Sequence, residues 1–218
     1  MNVNSYDCLL IVDFGSQVTQ LIARRLRELN IYCEIHPFQN VNEHLLSQLS
    51  PKAIILSGGP DSVTRDGSPR AHPVIFEIGV PLLGICYGQQ VMMQQLGGEV
   101  KSGVGTAEFG KAFVKNKLKS PITHNFFKHK SNQVWMSHGD TIEKLPENSV
   151  LLASTQNIEN AAFRIKDEIT YGIQFHPEVY HSKHGKKILE NFLVDISQLT
   201  QDWTPDSFVQ MTVNDLRN

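Results

Sequence analysis

Cysteine is scarce in this chain of 218 residues, where Cys8, Cys33 and Cys86 stand far apart. Three scattered thiols argue against a disulfide framework and fit a reducing, cytoplasmic compartment. There is no CxxC pair, and the nine histidines form no HExxH. The loose grouping of His176, His181 and His184 lacks the tight spacing of a zinc site, so no metal is expected. Long apolar runs are missing as well. Stretches such as Cys8 to Val12 and Ala53 to Leu56 are strand-sized, far short of the ~20 residues that span a membrane. The start, MNVNSYD, has no basic region leading into an apolar segment, so no secretory leader is read there. A basic excess is absent: 20 Lys and Arg face 22 Asp and Glu, a formal charge of -2. That balance argues against a general nucleic-acid binder. No repeat, low-complexity tract or flexible linker interrupts the chain.

What is present suffices for a packed core. Apolar residues make up 40% and charged residues 19%, which is too little charge for disorder. Cys8 to Val12 reads as a buried strand ending at Gly15, with Ser16 as the N-cap of a helix over Gln17 to Leu29. The apolar positions Val18, Leu21, Ile22, Leu26 and Leu29 keep helical spacing. A strand over Ile31 to Ile35, a short helix near Asn42 to Leu49 and a strand over Ala53 to Leu56 follow. The last of these opens into Ser57-Gly58-Gly59-Pro60 and a loop running to Pro73. The apolar strand PLLGIC then passes into a helix from about Gly88 to Leu96, closed by Gly97-Gly98. Alternating strands and helices predict an α/β fold with a doubly wound, mostly parallel sheet and flanking helices. Beyond Gly98, short β pieces recur at Phe109 to Val114, Gln133 to Met136, Val150 to Ala153, Ala161 to Ile165 and Thr170 to Phe175. They predict an extended sheet with an added antiparallel β layer. A final amphipathic helix is expected over Gly185 to Ile196, and another short one after Thr204-Pro205.

The most informative stretch is Gly84-Ile85-Cys86-Tyr87-Gly88, where a strand hands over to a helix. Glycines on both sides permit a sharp turn that lifts Cys86 out of the sheet at its C-terminal edge. The helix start offers free N–H groups and a positive dipole end, which favour a thiolate. Taken alone, the pentapeptide fits a buried cysteine at a packing turn equally well. Gln174-Phe175-His176-Pro177-Glu178 breaks the tie. A cysteine nucleophile needs a base, and the base needs an orienting acceptor. His176 and Glu178 can share one side of a strand end that Pro177 stiffens.

With these motifs the chain resembles the class I glutamine amidotransferases over roughly residues 7 to 198. The resemblance implies a Cys86-His176-Glu178 triad that releases ammonia from glutamine through a γ-glutamyl thioester. It further implies an oxyanion hole from the N–H groups of Gly59 and Tyr87. Gln90, four residues past the nucleophile, and the segment Ser137-His138-Gly139-Asp140 would contact the substrate. The set DFGSQ, LSGGP, GICYGQQ, WMSHGD, QFHPEV and WTPDSF resembles one branch in particular. In that branch a second domain, an ATP pyrophosphatase, uses ATP and Mg2+ to activate xanthosine monophosphate for amination to GMP. On that reading residues 1–198 form the amidotransferase domain and 199–218 the start of a linker toward the synthetase domain or subunit. No cofactor is expected in the amidotransferase domain itself, and its partners are glutamine and the synthetase, with no nucleic acid or membrane.

Rival readings remain at this level. Ser57-Gly58-Gly59-Pro60-Asp61-Ser62 also spells SGGxDS, a phosphate loop of ATP pyrophosphatases. Such a loop needs a helix directly behind it, whereas VTRDGSPRAHP follows here, broken by Gly67, Pro69 and Pro73. An amidotransferase serving another acceptor, a silent relative, a cysteine peptidase and a γ-glutamyl hydrolase also compete. Trp135 and Trp203 read as packing or docking aromatics, and His181 and His184 as the exposed start of the final helix. The charged run from Lys111 to Lys130 reads as a solvated edge.

Overall fold

The computed structural model describes residues 6–103, 105–165 and 169–217. The first five residues of the MNVNSYD start, part of the segment read for a leader, lie outside the described residues.

The first half is built from buried strands that alternate with helices. Strand β1 (Cys8–Asp13) leads through α1 (Thr19–Arg27) to β2 (Tyr32–Pro37). Next come α2 (Glu43–Leu49), β3 (Ala53–Leu56), a four-residue helix α3 (Val74–Glu77), β4 (Leu82–Ile85) and α4 (Tyr87–Gln95). The second half supplies β5 (Glu99–Ser102), β6 (Glu108–Asn116), β7 (Ser131–His138), β8 (Asp140–Lys144), β9 (Ser149–Ser154), β10 (Ala162–Ile165) and β11 (Thr170–Ile173). Helix α5 (Gly185–Glu190) runs on as a π-helical turn over Asn191–Ile196, and α6 (Pro205–Arg217) closes the chain.

Nine strands form one sheet in the order β2-β1-β3-β4-β11-β10-β9-β6-β7. The first five are parallel, and β11-β10-β9-β6-β7 are antiparallel. Strands β5 and β8 make a separate antiparallel ribbon. The second-half strands thus extend the sheet, as expected, and the β5–β8 ribbon is the added antiparallel layer. Every residue of β3 and β4 is buried, as a parallel sheet covered on both faces requires. Alternate residues feed two cores. Leu9, Ile11, Ile55, Leu83 and Ile85 pack with α1, α5 and the π-helical turn. Leu10, Val12, Ile54, Leu56 and Leu82 pack on the other face with Val91, Met92 and Met93 of α4.

Several local expectations shift. Ser16 does not cap α1, which begins at Thr19 after Val18. Its Oγ instead accepts the Val18 N–H at 3.2 Å, while Thr19 Oγ1 donates to Asp13 Oδ1 at 2.7 Å. Gly15 to Val18 thus stay outside the helix as a loop at the sheet's carboxyl edge. The final helix changes pitch at Asn191, whose buried amide donates to the carbonyls of Ile122 and His124. The helix expected after Thr204-Pro205 is present as α6, and the stretch before and within it lies against the domain. The Trp203 N–H donates to the Asn30 carbonyl, Arg27 lies over the Trp203 ring, and Phe208 stacks on Tyr32.

Candidate active site

Chain order places the site. After β1 the chain goes to β2 on one side, then returns to β3 on the other, so the topology switches between β1 and β3. Open α/β sheets bind ligands at the carboxyl end of such a switch. The loops after β1, β3, β4 and β11 converge there, carrying Gly15–Val18, Ser57–Pro60, Cys86 and His176.

Cys86 occupies a strained turn, with φ 53° and ψ -109°. Its glycine neighbours are required by close backbone approach. A Cβ at Gly88 would fall 2.3 Å from the Leu56 carbonyl oxygen, and one at Gly84 would fall 2.8 Å from the Gln89 Cα. The turn is pinned by the Cys86 N–H donating to Ile173 and the Gly88 N–H donating to Ser57. A non-glycine residue at positive φ costs of order 1–3 kcal/mol and persists only where the surroundings over-determine it.

Strand β11 lies beside β4, with Ile173 opposite Ile85. His176, just past the end of β11, therefore arrives beside Cys86, just past the end of β4. Its Nδ1 donates to Glu178 Oε1 at 2.7 Å, which leaves Nε2 for the thiol. The His176 N–H donates to the Trp135 carbonyl at 3.0 Å, and the Arg25 guanidinium donates to the Glu178 carbonyl at 3.1 Å. Both side chains are buried. Burial alone would lower the His176 pKa. The charge and hydrogen bond of Cys86, together with Glu178, outweigh it and hold the ring well above its ordinary 6.5. Cys86 and Glu178 together thus favour the charged form of the His176 ring.

Two cavities flank Cys86. One of about 310 Å³ is lined by Gly59, Cys86, Tyr87, Gln90 and the whole Ser137–Asp140 segment. The other, about 400 Å³, opens toward Gly15–Val18, Trp135 and His176. Among the described residues, neither the Gly59 nor the Tyr87 backbone N–H donates to a protein acceptor. Gly59 is a glycine of necessity, since a Cβ there would press to 2.9 Å from the Phe14 carbonyl oxygen. Nine of the ten sequence-predicted site residues line these cavities, and Glu178 lies behind His176.

Some of their side chains face the protein. The Gln90 amide donates to the Asp140 carbonyl at 2.9 Å and to Gln174 Oε1 at 3.2 Å. Asp140 Oδ2 accepts from Ser62 Oγ at 2.6 Å and from the Val63 N–H at 3.0 Å. The Ser137 carbonyl lies 3.4 Å from Cys86 Sγ. Trp135 lines the wider cavity, and its ring lies 4.5 Å from that of His181. Glu108 was not singled out from sequence, though it stands 3.5 Å from His138 inside the protein. No helix follows Ser57–Ser62 before the four-residue α3 at Val74, so the SGGxDS stretch lacks the geometry of a phosphate loop.

A thiol on a strained strand-to-helix turn, with a His–Glu pair from the neighbouring parallel strand, defines a class of enzyme. The chain belongs to the class-I glutamine amidotransferase family, which it matches over residues 10–196. It is similar to GMP synthase [glutamine-hydrolyzing] of Ruegeria sp., 51% identical over 218 residues, all of this chain and 42% of that protein. The protein of the same description from Brachyspira hyodysenteriae is 48% identical over 214 residues, 98% of this chain and 41% of its own. The chain thus spans about two fifths of the length of these relatives. Among solved structures, a putative GMP synthase subunit from Thermoplasma acidophilum superposes with a TM-score of 0.78 at 30% identity. The match covers 88% of this chain and 94% of that one. A glutamine amidotransferase from Thermotoga maritima shares the fold, with a TM-score of 0.72 at 20% identity, covering 88% and 99%.

Proposed function

We propose that this chain hydrolyses glutamine with Cys86 as nucleophile, His176 as base and acid, and Glu178 as the carboxylate that orients the ring. The observation that carries it is the joining of Cys86, at φ 53°, to a buried His176–Glu178 pair. Cys86 Sγ attacks the side-chain carboxamide carbon while its proton resides on His176. The carbonyl oxygen gathers charge toward the N–H groups of Gly59 and Tyr87, each such donor lowering the barrier by about 3 kcal/mol. His176 returns the proton to the departing nitrogen, and ammonia leaves a γ-glutamyl thioester. Water, deprotonated by His176, releases glutamate and restores the thiol. The 310 Å³ cavity holds the amino-acid end of the substrate.

The ammonia passes to a synthetase that makes GMP, as the name GMP synthase [glutamine-hydrolyzing] of the relatives suggests, and the resemblance supplies XMP as the acceptor and ATP as its activator. ATP and Mg2+ serve that partner, whether it is a further domain or a separate chain. The glutamine half works in the cytoplasm without a cofactor. The test is covalent labelling by the glutamine analogue 6-diazo-5-oxo-norleucine. One label is expected on Cys86, together with loss of glutaminase activity in Cys86→Ala. An unlabelled wild-type chain, or glutamine turnover undiminished in Cys86→Ala, overturns the reading. The acceptor is tested separately. Synthetase with XMP and ATP should stimulate glutaminase, and stimulation only by a different acceptor reassigns the ammonia.

A further inference from the structure

Behind the Ser137–Asp140 segment lies a buried polar chain that begins at Glu108. The β6–β7 register sets Glu108 opposite His138. Glu108 Oε1 accepts from Thr155 Oγ1 at 2.9 Å and from Asn157 Nδ2 at 3.1 Å. Its other oxygen has no hydrogen-bond partner and faces His138 Nε2, equally unpartnered, at 3.5 Å. His138 Nδ1 lies 2.9 Å from the Asp140 carbonyl. Each nitrogen of the His138 ring thus faces an acceptor, the Asp140 carbonyl on one side and the Glu108 carboxylate on the other. The same Asp140 carbonyl takes the Gln90 amide, and Gln90 sits one helical turn beyond Cys86. The polar chain thus ends on the wall of the 310 Å³ cavity, away from the His176–Glu178 pair. Burial would raise the Glu108 pKa, yet His138, Thr155 and Asn157 hold it below the ordinary carboxylate value.

We infer that Glu108 is a positioning residue for glutamine binding: through His138 it fixes the Ser137–Asp140 backbone against Cys86 and Gln90. The inference rests on the glutaminase reading and deepens it. Glu108 touches no reacting atom, so its loss loosens the binding wall and leaves the thiol and its base in place. A carboxylate buried only as packing would be replaceable by the isosteric amide without change in substrate affinity.

The test measures Cys86 labelling by 6-diazo-5-oxo-norleucine on the full chain, reading the half-saturating concentration and the limiting rate by intact mass. Glu108→Gln keeps an oxygen for Thr155 and Asn157 and removes the charge facing His138. Its half-saturating concentration should rise on the order of tenfold, as for loss of a buried supporting partner. The limiting rate should stay within about threefold, the split expected when binding and not chemistry is lost. An unmoved half-saturation, or a fall in the limiting rate alone, overturns the inference. Should Glu108→Gln fail to fold, Asn157→Ala decides. Asn157 is exposed and gives Glu108 one hydrogen bond, so a rise of roughly twofold to threefold is expected, and none overturns the inference. A wild-type chain that takes no label overturns the glutaminase reading itself. A labelled wild type with unmoved variants overturns the role of Glu108 alone.

Discussion

Nδ1 of His176 stands 2.7 Å from Oε1 of Glu178, and both side chains are closed off from bulk water. Removing one partner of such a pair leaves the other's charge buried and unmatched. Glu178→Gln keeps the size and loses the charge that orients and stabilises the imidazolium. The limiting rate of Cys86 labelling should fall on the order of 10⁴-fold, as when a triad carboxylate is neutralised. A fall below tenfold would deny Glu178 its place.

The raised His176 pKa gives a pH prediction of definite sign. The unfolded ring titrates near 6.5, and the folded ring well above it. Its contribution to stability is therefore complete below about 6.5 and is lost as pH rises through the folded value. After burial, which opposes the rise, Cys86 heads the causes, so Cys86→Ser should bring the midpoint down. NMR titration of the ring Cε1 proton in both chains checks it. A wild-type midpoint at or below 6.5 contradicts the ion pair.

Two glycines at the site should respond in opposite ways to alanine. A Cβ at Gly88 meets the backbone of Leu56 at 2.3 Å, whereas one at Gly139 meets nothing within 4 Å and needs no positive φ. Gly88→Ala should cost about 3 kcal/mol or more, because main chain must move. Gly139→Ala should stay within about 0.5 kcal/mol. Urea unfolding of the two variants makes the comparison, and equal midpoints would place the strain elsewhere.

These positions show how far the sequence alone carries. The run LLGICYG announces both a fully buried strand and its turn, because hydrophobicity and glycine spacing are local signals. The runs at β1 and β3 are legible for the same reason. By contrast β5 buries only Val100 and β8 carries Asp140, Glu143 and Lys144, so neither shows a two-residue period. The pitch change at Asn191 arises from carbonyls some 70 residues earlier in the chain. Glu108 is the clearest case. A lone glutamate opening a strand carries no motif, and it meets His138 only through the β6–β7 register. Side chains that turn inward, such as Asp140, are hidden likewise, since residue type does not reveal direction.

The three thiols should differ sharply in reactivity. Burial, followed by the charges of Glu34 and Cys33, pushes Cys8 up to about 12. Burial lifts Cys33 to about 11 against the nearby Arg27. Cys86 lines both cavities of the site. Iodoacetamide at pH 8 should alkylate Cys86 and leave Cys8 and Cys33 untouched, since only a thiolate reacts. Peptide mapping by mass spectrometry reads the outcome, and modification of Cys8 or Cys33 in the folded chain would refute it.

Asp140 should act as a clamp on the loop that carries Gly59. Its Oδ2 accepts from Ser62 Oγ and from the Val63 N–H. Val63 is fully buried, so no water replaces that acceptor. Asp140→Ala strands the amide and frees the loop, at about 2 kcal/mol locally, or roughly 30-fold faster exchange of the Val63 amide hydrogen. Ser62→Ala removes one donor and leaves the amide bonded, so the acceleration should be several times smaller. Labelling of Cys86 should slow in Asp140→Ala as well, because the Gly59 N–H is held three residues before the clamped Ser62. Hydrogen exchange and labelling that fail to change together would separate the clamp from the oxyanion site.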